Sequence, residues 1–171
     1  MKKVNHTISD IILRFIKQNK ECYKPISQTQ ISNLSKKLNV SFSKSYLEFL
    51  SVFGNDSFYS KDFYFYSLSE LEKLNEYFKQ QLNELKNDSI SLEFDINDVF
   101  TFGAIFDGND CFWFWNLNDN IANPTIYFID TTYYGDQNTE LKYTFMKCGN
   151  MDEFIKNELK KYEYEKWKRN C

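Results

Sequence analysis

The chain has 171 residues, 42% of them hydrophobic and 26% charged, with a formal net charge of −3; that suits one globular domain with a core of its own and excludes wholesale disorder. No run approaches the roughly 18 apolar residues of a membrane span, and the N-terminal isoleucines are interleaved with polar residues where a signal peptide needs a continuous apolar stretch, so a cytoplasmic protein is expected. Cys22, Cys111, Cys148 and Cys171 form no CxxC pair and read as free thiols, so neither a structural metal nor a cofactor is expected.

Ile8, Ile11, Ile12, Phe15 and Ile16 recur at helical spacing and predict an amphipathic helix. A second stripe runs through Ile31, Leu34 and Leu38. A third helix is expected behind Ser43 as N-cap, with Phe42 placed to staple against Leu47 and Gly54 as a left-handed stop. Phe63 to Tyr66 reads as a strand. Ser67 and Glu70 then form a capping box ahead of the clearest stripe in the chain, Leu68, Leu71, Leu74, Phe78, Leu82 and Leu85. Residues 86–98 are polar and acidic and read as a loop or insertion. Val99–Phe106 and Cys111–Trp115 are expected to pair as a hairpin about a tight turn at residues 107–110, and Thr125–Ile129 and Leu141–Lys147 add two strands. Met151, Phe154, Ile155, Leu159 and Tyr162 mark a closing helix, whose early acidic and late basic residues suit its dipole. Helices, then hairpin-connected strands, then one helix predict an α+β domain over residues 1–171 with a largely antiparallel sheet.

Catalytic signatures are missing. The one histidine, His6, lies near a terminus prone to fray, which removes Ser-His-Asp, Cys-His and HExxH chemistry together. There is no P-loop or GxGxxG, and five scattered glycines do not build a phosphate cradle. A carboxylate pair of the glycosidase type stays open among 24 acidic residues. The expectation is a binding protein that is not an enzyme.

Charge is unevenly distributed. From Glu84 to Glu140 eleven acidic residues face one basic residue, Lys86, a net charge of −10. Residues 1–83 carry +4 and residues 141–171 carry +3. A −10 stretch steers basic partners and repels phosphates, so a basic protein is the expected partner and nucleic acid is not. Asp107, Asp110, Asp119 and Asp136, with Tyr133 and Tyr134 as aromatic anchors, are the candidate contact residues. Turn chemistry alone also enriches exposed sheet loops in Asp. Aromatic content is 19%, but AT-rich codon usage over-supplies Phe and Tyr, so the count carries no functional weight. The strand Cys111–Trp115 is apolar on both faces, which reads as a covered central strand and favours core over contact for Trp113 and Trp115, with the choice between the two left open by the sequence.

In this order the elements resemble the SUKH superfamily, which includes bacterial toxin-immunity proteins and fungal cell-wall regulators. QTQISNLSKKLNVSFSKSYLEFLSVFGND (28–56) is similar to its helix pair, with Tyr-x-x-Phe/Leu-Leu ending near Gly. FYFYSLSELEKLNEYF (63–78) is similar to its strand running into a helix, and FTFGAIFDGNDCFWFWNLN (100–118) to its aromatic hairpin. PTIYFID (124–130) and GNMDEFIKNEL (149–159) match a later strand and the closing helix. Two departures stand out: Val40-Ser-Phe-Ser43 occupies the place where members often carry a proline, and 86–98 is longer than usual. The resemblance implies a non-enzymatic cytosolic protein that neutralises a cognate toxin, commonly a nuclease or other basic effector delivered by a neighbouring cell, by tight one-to-one binding. The alternative it implies is a regulatory or scaffold module of the fungal type.

Overall fold

A computed structural model describes residues 8–18, 26–55, 58–60, 63–88, 90–106, 110–131 and 144–169. Helices α1 (Ile8–Gln18), α2 (Gln28–Leu38) and α3 (Lys44–Phe53) are followed by strands β1 (Phe58–Ser60) and β2 (Phe63–Phe65) and by helix α4 (Leu71–Asn87). A 3-10 turn, Ile96–Asp98, leads into β3 (Val99–Phe106). Strands β4 (Asp110–Asn116), β5 (Thr125–Asp130) and β6 (Thr144–Asn150) and helix α5 (Met151–Arg169) complete the order. The six strands form one antiparallel sheet in chain order, β1-β2-β3-β4-β5-β6, so the α+β expectation holds. The expected last strand begins at Thr144 among the described residues, and the short β1 is an addition.

The helix starts follow local chemistry. Ser27 caps α2 in a full capping box: its Oγ accepts from Gln30 N at 3.2 Å while Gln30 Oε1 accepts from Ser27 N at 2.9 Å. Ser43 caps α3 as expected, accepting from Tyr46 N at 3.2 Å. Phe42 sets its ring edge-on to Tyr46 and Phe100, both at 5.4 Å between centroids. The box at Ser67 and Glu70 is only half closed. Glu70 Oε2 accepts from Ser67 N at 3.0 Å, but Glu70 N donates to the Ser67 carbonyl, and the helix begins one residue later at Leu71.

Gly54 corrects an expectation. Its φ of −71° is right-handed, so it ends α3 without a left-handed turn. Glycine is needed there for room: a Cβ would sit 2.6 Å from Ile26 Cδ1 and from the Leu50 carbonyl oxygen. The left-handed cap belongs to Asn39, with φ 52° at the end of α2.

The sheet is covered on both faces. On one, Phe78 of α4 packs on Phe112 and Phe114 at 4.7 and 5.2 Å. On the other, Tyr46 and Phe49 of α3 and Phe154 of α5 pack on Phe65, Phe102 and Trp115. Helices α1 and α2 lie against this second layer through α3, and α1 also through α5. A strand buried on both faces reads as a continuous apolar run, which is why Cys111–Trp115 shows no polar alternation.

The polar segment after α4 is not wholly a surface loop. Ile90 is buried, and Phe94 lays its ring on Phe114 and Phe145. It therefore extends the cover that α4 gives to the sheet.

Candidate functional site

Antiparallel pairing fixes where the candidate residues sit. Phe106 pairs with Asp110, Cys111 with Asp130, and Asp130 with Thr144, so these residues share one end of the sheet. Asp119 lies in the loop joining β4 to β5 at the other end. β4 has seven residues, so the two ends are about 20 Å apart along the strand. Asp110 and Asp119 are thus not brought together. Asp107, Tyr133, Tyr134 and Asp136 lie outside the described residues.

At the first end α4 meets β4. Tyr77 Oη donates to Asp110 Oδ2 at 2.5 Å. Hydrogen bonding to that carboxylate, then burial and the charges of Asp110 and Glu84, push the Tyr77 phenol up to about 12. Thr131 donates to the Asp110 carbonyl through both N and Oγ1, at 3.0 and 2.9 Å. Burial first, then the charges of Asp130 and Asp110, push the Cys111 thiol up to about 11. A thiol held that high stays protonated at neutral pH and is a poor nucleophile or metal ligand. Among the described residues Cys111 and Cys148 are free thiols, and no group of three or more His, Cys, Asp or Glu is placed to hold a metal ion.

At the second end the β4–β5 loop is tied on all sides. Leu117 N donates to the Asp98 carbonyl at 2.6 Å and Asp119 N to the Asn116 carbonyl at 3.1 Å. Asn118 Nδ2 donates to Asp98 Oδ2 at 2.7 Å. Met151 N donates to the Pro124 carbonyl at 3.0 Å, and Asp152 N to Asn123 Oδ1 at 3.1 Å, which fasten the loop to the start of α5. A cavity of about 130 Å³ opens between this loop, the Asn39–Ser41 connector and the end of β4. Asn39, Ser41 and Ile121 in its wall carry no sequence signal of function. Their meeting depends on the left-handed cap at Asn39 and on long-range packing.

The two tryptophans separate. Trp115 is buried among Phe100, Phe102 and Tyr46 and belongs to the core. Trp113 is half-buried, edge-on to Phe63 at 4.7 Å and against Phe128 at 4.9 Å. A more open groove of about 440 Å³ runs between α4 and the segment after it, with Lys79, Lys86, Leu92, Phe94 and Asp95 in its walls. Its charges are mixed. Among the described residues no helix is long and apolar enough to cross a membrane.

Neither a curated protein nor a solved structure matches the chain. The model of one family, SMI1/KNR4 (SUKH-1), matches residues 25–157, from just before α2 into α5 and so across the whole sheet. With more than half of its length matched, the chain belongs to the SMI1/KNR4 family (SUKH-1).

Proposed function

We propose that this chain is an immunity protein that binds a cognate polymorphic toxin in the cytoplasm and blocks it without catalysis. Family membership over residues 25–157 carries the reading, since the SMI1/KNR4 fold is generally a non-catalytic immunity or regulatory fold. The −10 segment from Glu84 to Glu140 supports a toxin with a basic surface, possessing the charge that long-range steering rewards. Asp107, Asp110, Asp119, Tyr133, Tyr134 and Asp136 are the proposed contact residues, of which Asp110 and Asp119 lie at opposite ends of β4. Support for a non-enzymatic role also comes from the Cys111 thiol, which its surroundings hold protonated.

The test is co-expression with the product of the adjacent gene. Rescue of growth, together with co-purification of the two proteins at one to one, is expected. A toxic neighbour that is neither bound nor relieved would defeat the immunity reading, and a locus with no toxin gene beside it would favour the regulatory module.

A further inference from the structure

Asp119 differs from the other acidic residues around it. Its Oδ2 is buried and accepts no hydrogen bond from the described residues. Asp110 accepts from Tyr77, Asp98 from Asn118, Asp95 from Asn97 N, and Glu84 from Gln80 and Gln81. A buried carboxylate oxygen without a donor is costly, so native folds supply one or reserve the position for a ligand. The charge is felt locally: after burial, Asp119 is the next cause holding the Tyr127 phenol up.

The surroundings narrow the ligand. The cavity beside Asp119, about 130 Å³, holds about four waters at ~30 Å³ each, well below the ~300–1,000 Å³ of small-molecule sites. It suits one long side chain. Its walls divide by chemistry, with Trp115 and Ile121 apolar, and Asn39, Ser41 and Asn116 polar. Ile121 is 49% exposed although it sits in a loop fastened at both ends. An apolar wall leading to a carboxylate matches a side chain that buries its methylene stem and presents a cationic head. Arginine fits better than lysine, because its planar fork donates to both a carboxylate and neighbouring amide oxygens.

The geometry points to a socket at Asp119 that receives one arginine side chain of the partner protein. This rests on the reading above that the partner is a basic toxin, and it adds where one anchor goes. The loop's own hydrogen bonds set the walls of the socket before binding, which lowers the cost of association, while Oδ2, buried in the free protein, is reached only as the Asp119 carboxylate turns toward the arginine. Asp110, already engaged by Tyr77, contributes to long-range steering instead.

Two measurements test it. In the first, backbone amide shifts of the full chain are followed by NMR during titration with N-acetyl-arginine amide, its lysine counterpart, the neutral isostere N-acetyl-citrulline amide, and calcium chloride. Saturable shifts at Asn39, Asn116, Asp119 and Ile121 are expected with arginine, weaker with lysine, and absent with citrulline or in Asp119→Asn. Equal shifts with citrulline, shifts retained in Asp119→Asn, equal shifts with calcium, or no shift at all would overturn the socket. In the second, binding of the co-purifying toxin should weaken on the order of 30-fold or more in Asp119→Asn, mainly through faster dissociation. Affinity within twofold of the parent would overturn the proposal while leaving the immunity reading intact. If the parent binds no toxin, the immunity reading falls by itself and the arginine titration still decides the socket.

Discussion

Tyr77 and Asp110 show how one hydrogen bond joins a helix to the sheet and makes the fold sensitive to alkali. The phenol is ordinarily at 10.0 and is pushed up to about 12 in the folded chain. A folded value above the unfolded one means that the protonated phenol is what the fold favours. Its contribution is complete below pH 10 and is lost as pH rises through 12. Cys111, pushed from 9.0 up to about 11, acts in the same direction over the window from 9 to 11. Urea unfolding midpoints should therefore fall progressively from pH 9 to 12, and the fall above pH 10 should be shallower in Tyr77→Phe. At neutral pH that variant should lose about 1 kcal/mol, the net value of an ordinary hydrogen bond, because the pair is partly exposed. Parallel pH profiles in the two proteins would remove Tyr77 from the account. Tyr46 presents the opposite case. Its ring packs among Phe42, Phe49, Phe100 and Trp115, its hydroxyl is buried with no hydrogen-bond partner among the described residues, and burial drives its phenol far up.

Strand β3 depends on α4 for more than apolar cover. Its register with β4 shifts between Thr101 and Gly103, which leaves Phe102 as the extra residue of a bulge. Here β2 pairs only through Tyr64 and Phe65, so Thr101 has no strand partner on that side. Asn75 supplies it. The amide Nδ2 donates to the Thr101 carbonyl at 2.8 Å, and Oδ1 accepts from Thr101 N at 2.9 Å. Asn75→Leu keeps a similar volume but strands two buried backbone groups, each costing about 1–3 kcal/mol. A loss of roughly 3 kcal/mol is expected, with faster hydrogen exchange at the Thr101 amide; a loss below 1 kcal/mol would show that the bulge needs no clamp. Gly103 completes the bulge, since a Cβ there would come within 2.2 Å of the Phe63 ring. None of this is legible in the sequence, where Asn75 is one polar residue in a leucine stripe. The helices and the β3–β4 hairpin were legible because apolar periodicity is local. The crowding at Gly54 was not, because it depends on a segment distant in the chain, the Ile26 side chain; at Glu70 the backbone bond to the Ser67 carbonyl, which competes locally with the capping box, was not legible either.

Over the whole molecule, the acidic segment is contiguous in sequence but divided in space. Among the described residues Asp110 and Asp130 lie at one end of β4 and Asp98 and Asp119 at the other, a separation of about 20 Å that exceeds the Debye length of about 8 Å at physiological salt. The sequence count could show a charge of −10 but not this division, which is set by hairpin topology. Charges so placed cannot act as one local contact, yet they sum in the long-range field that governs encounter. Steering and anchoring should therefore separate kinetically. Reversing Asp107, Asp110, Asp119 and Asp136 to Lys adds two charges per site, which takes the net charge from −3 to +5. Association with a basic toxin should slow by roughly tenfold or more at low salt, and its dependence on ionic strength should flatten or invert. A double reversal at Asp107 and Asp136 spares both the Tyr77 hydrogen bond and the Asp119 socket. It should slow association while leaving dissociation near the parent rate, whereas Asp119→Asn should do the reverse. Stopped-flow association rates across a salt series read both effects. An unchanged association rate in the fourfold variant, with its melting temperature preserved, would dispose of the acidic surface as the steering element.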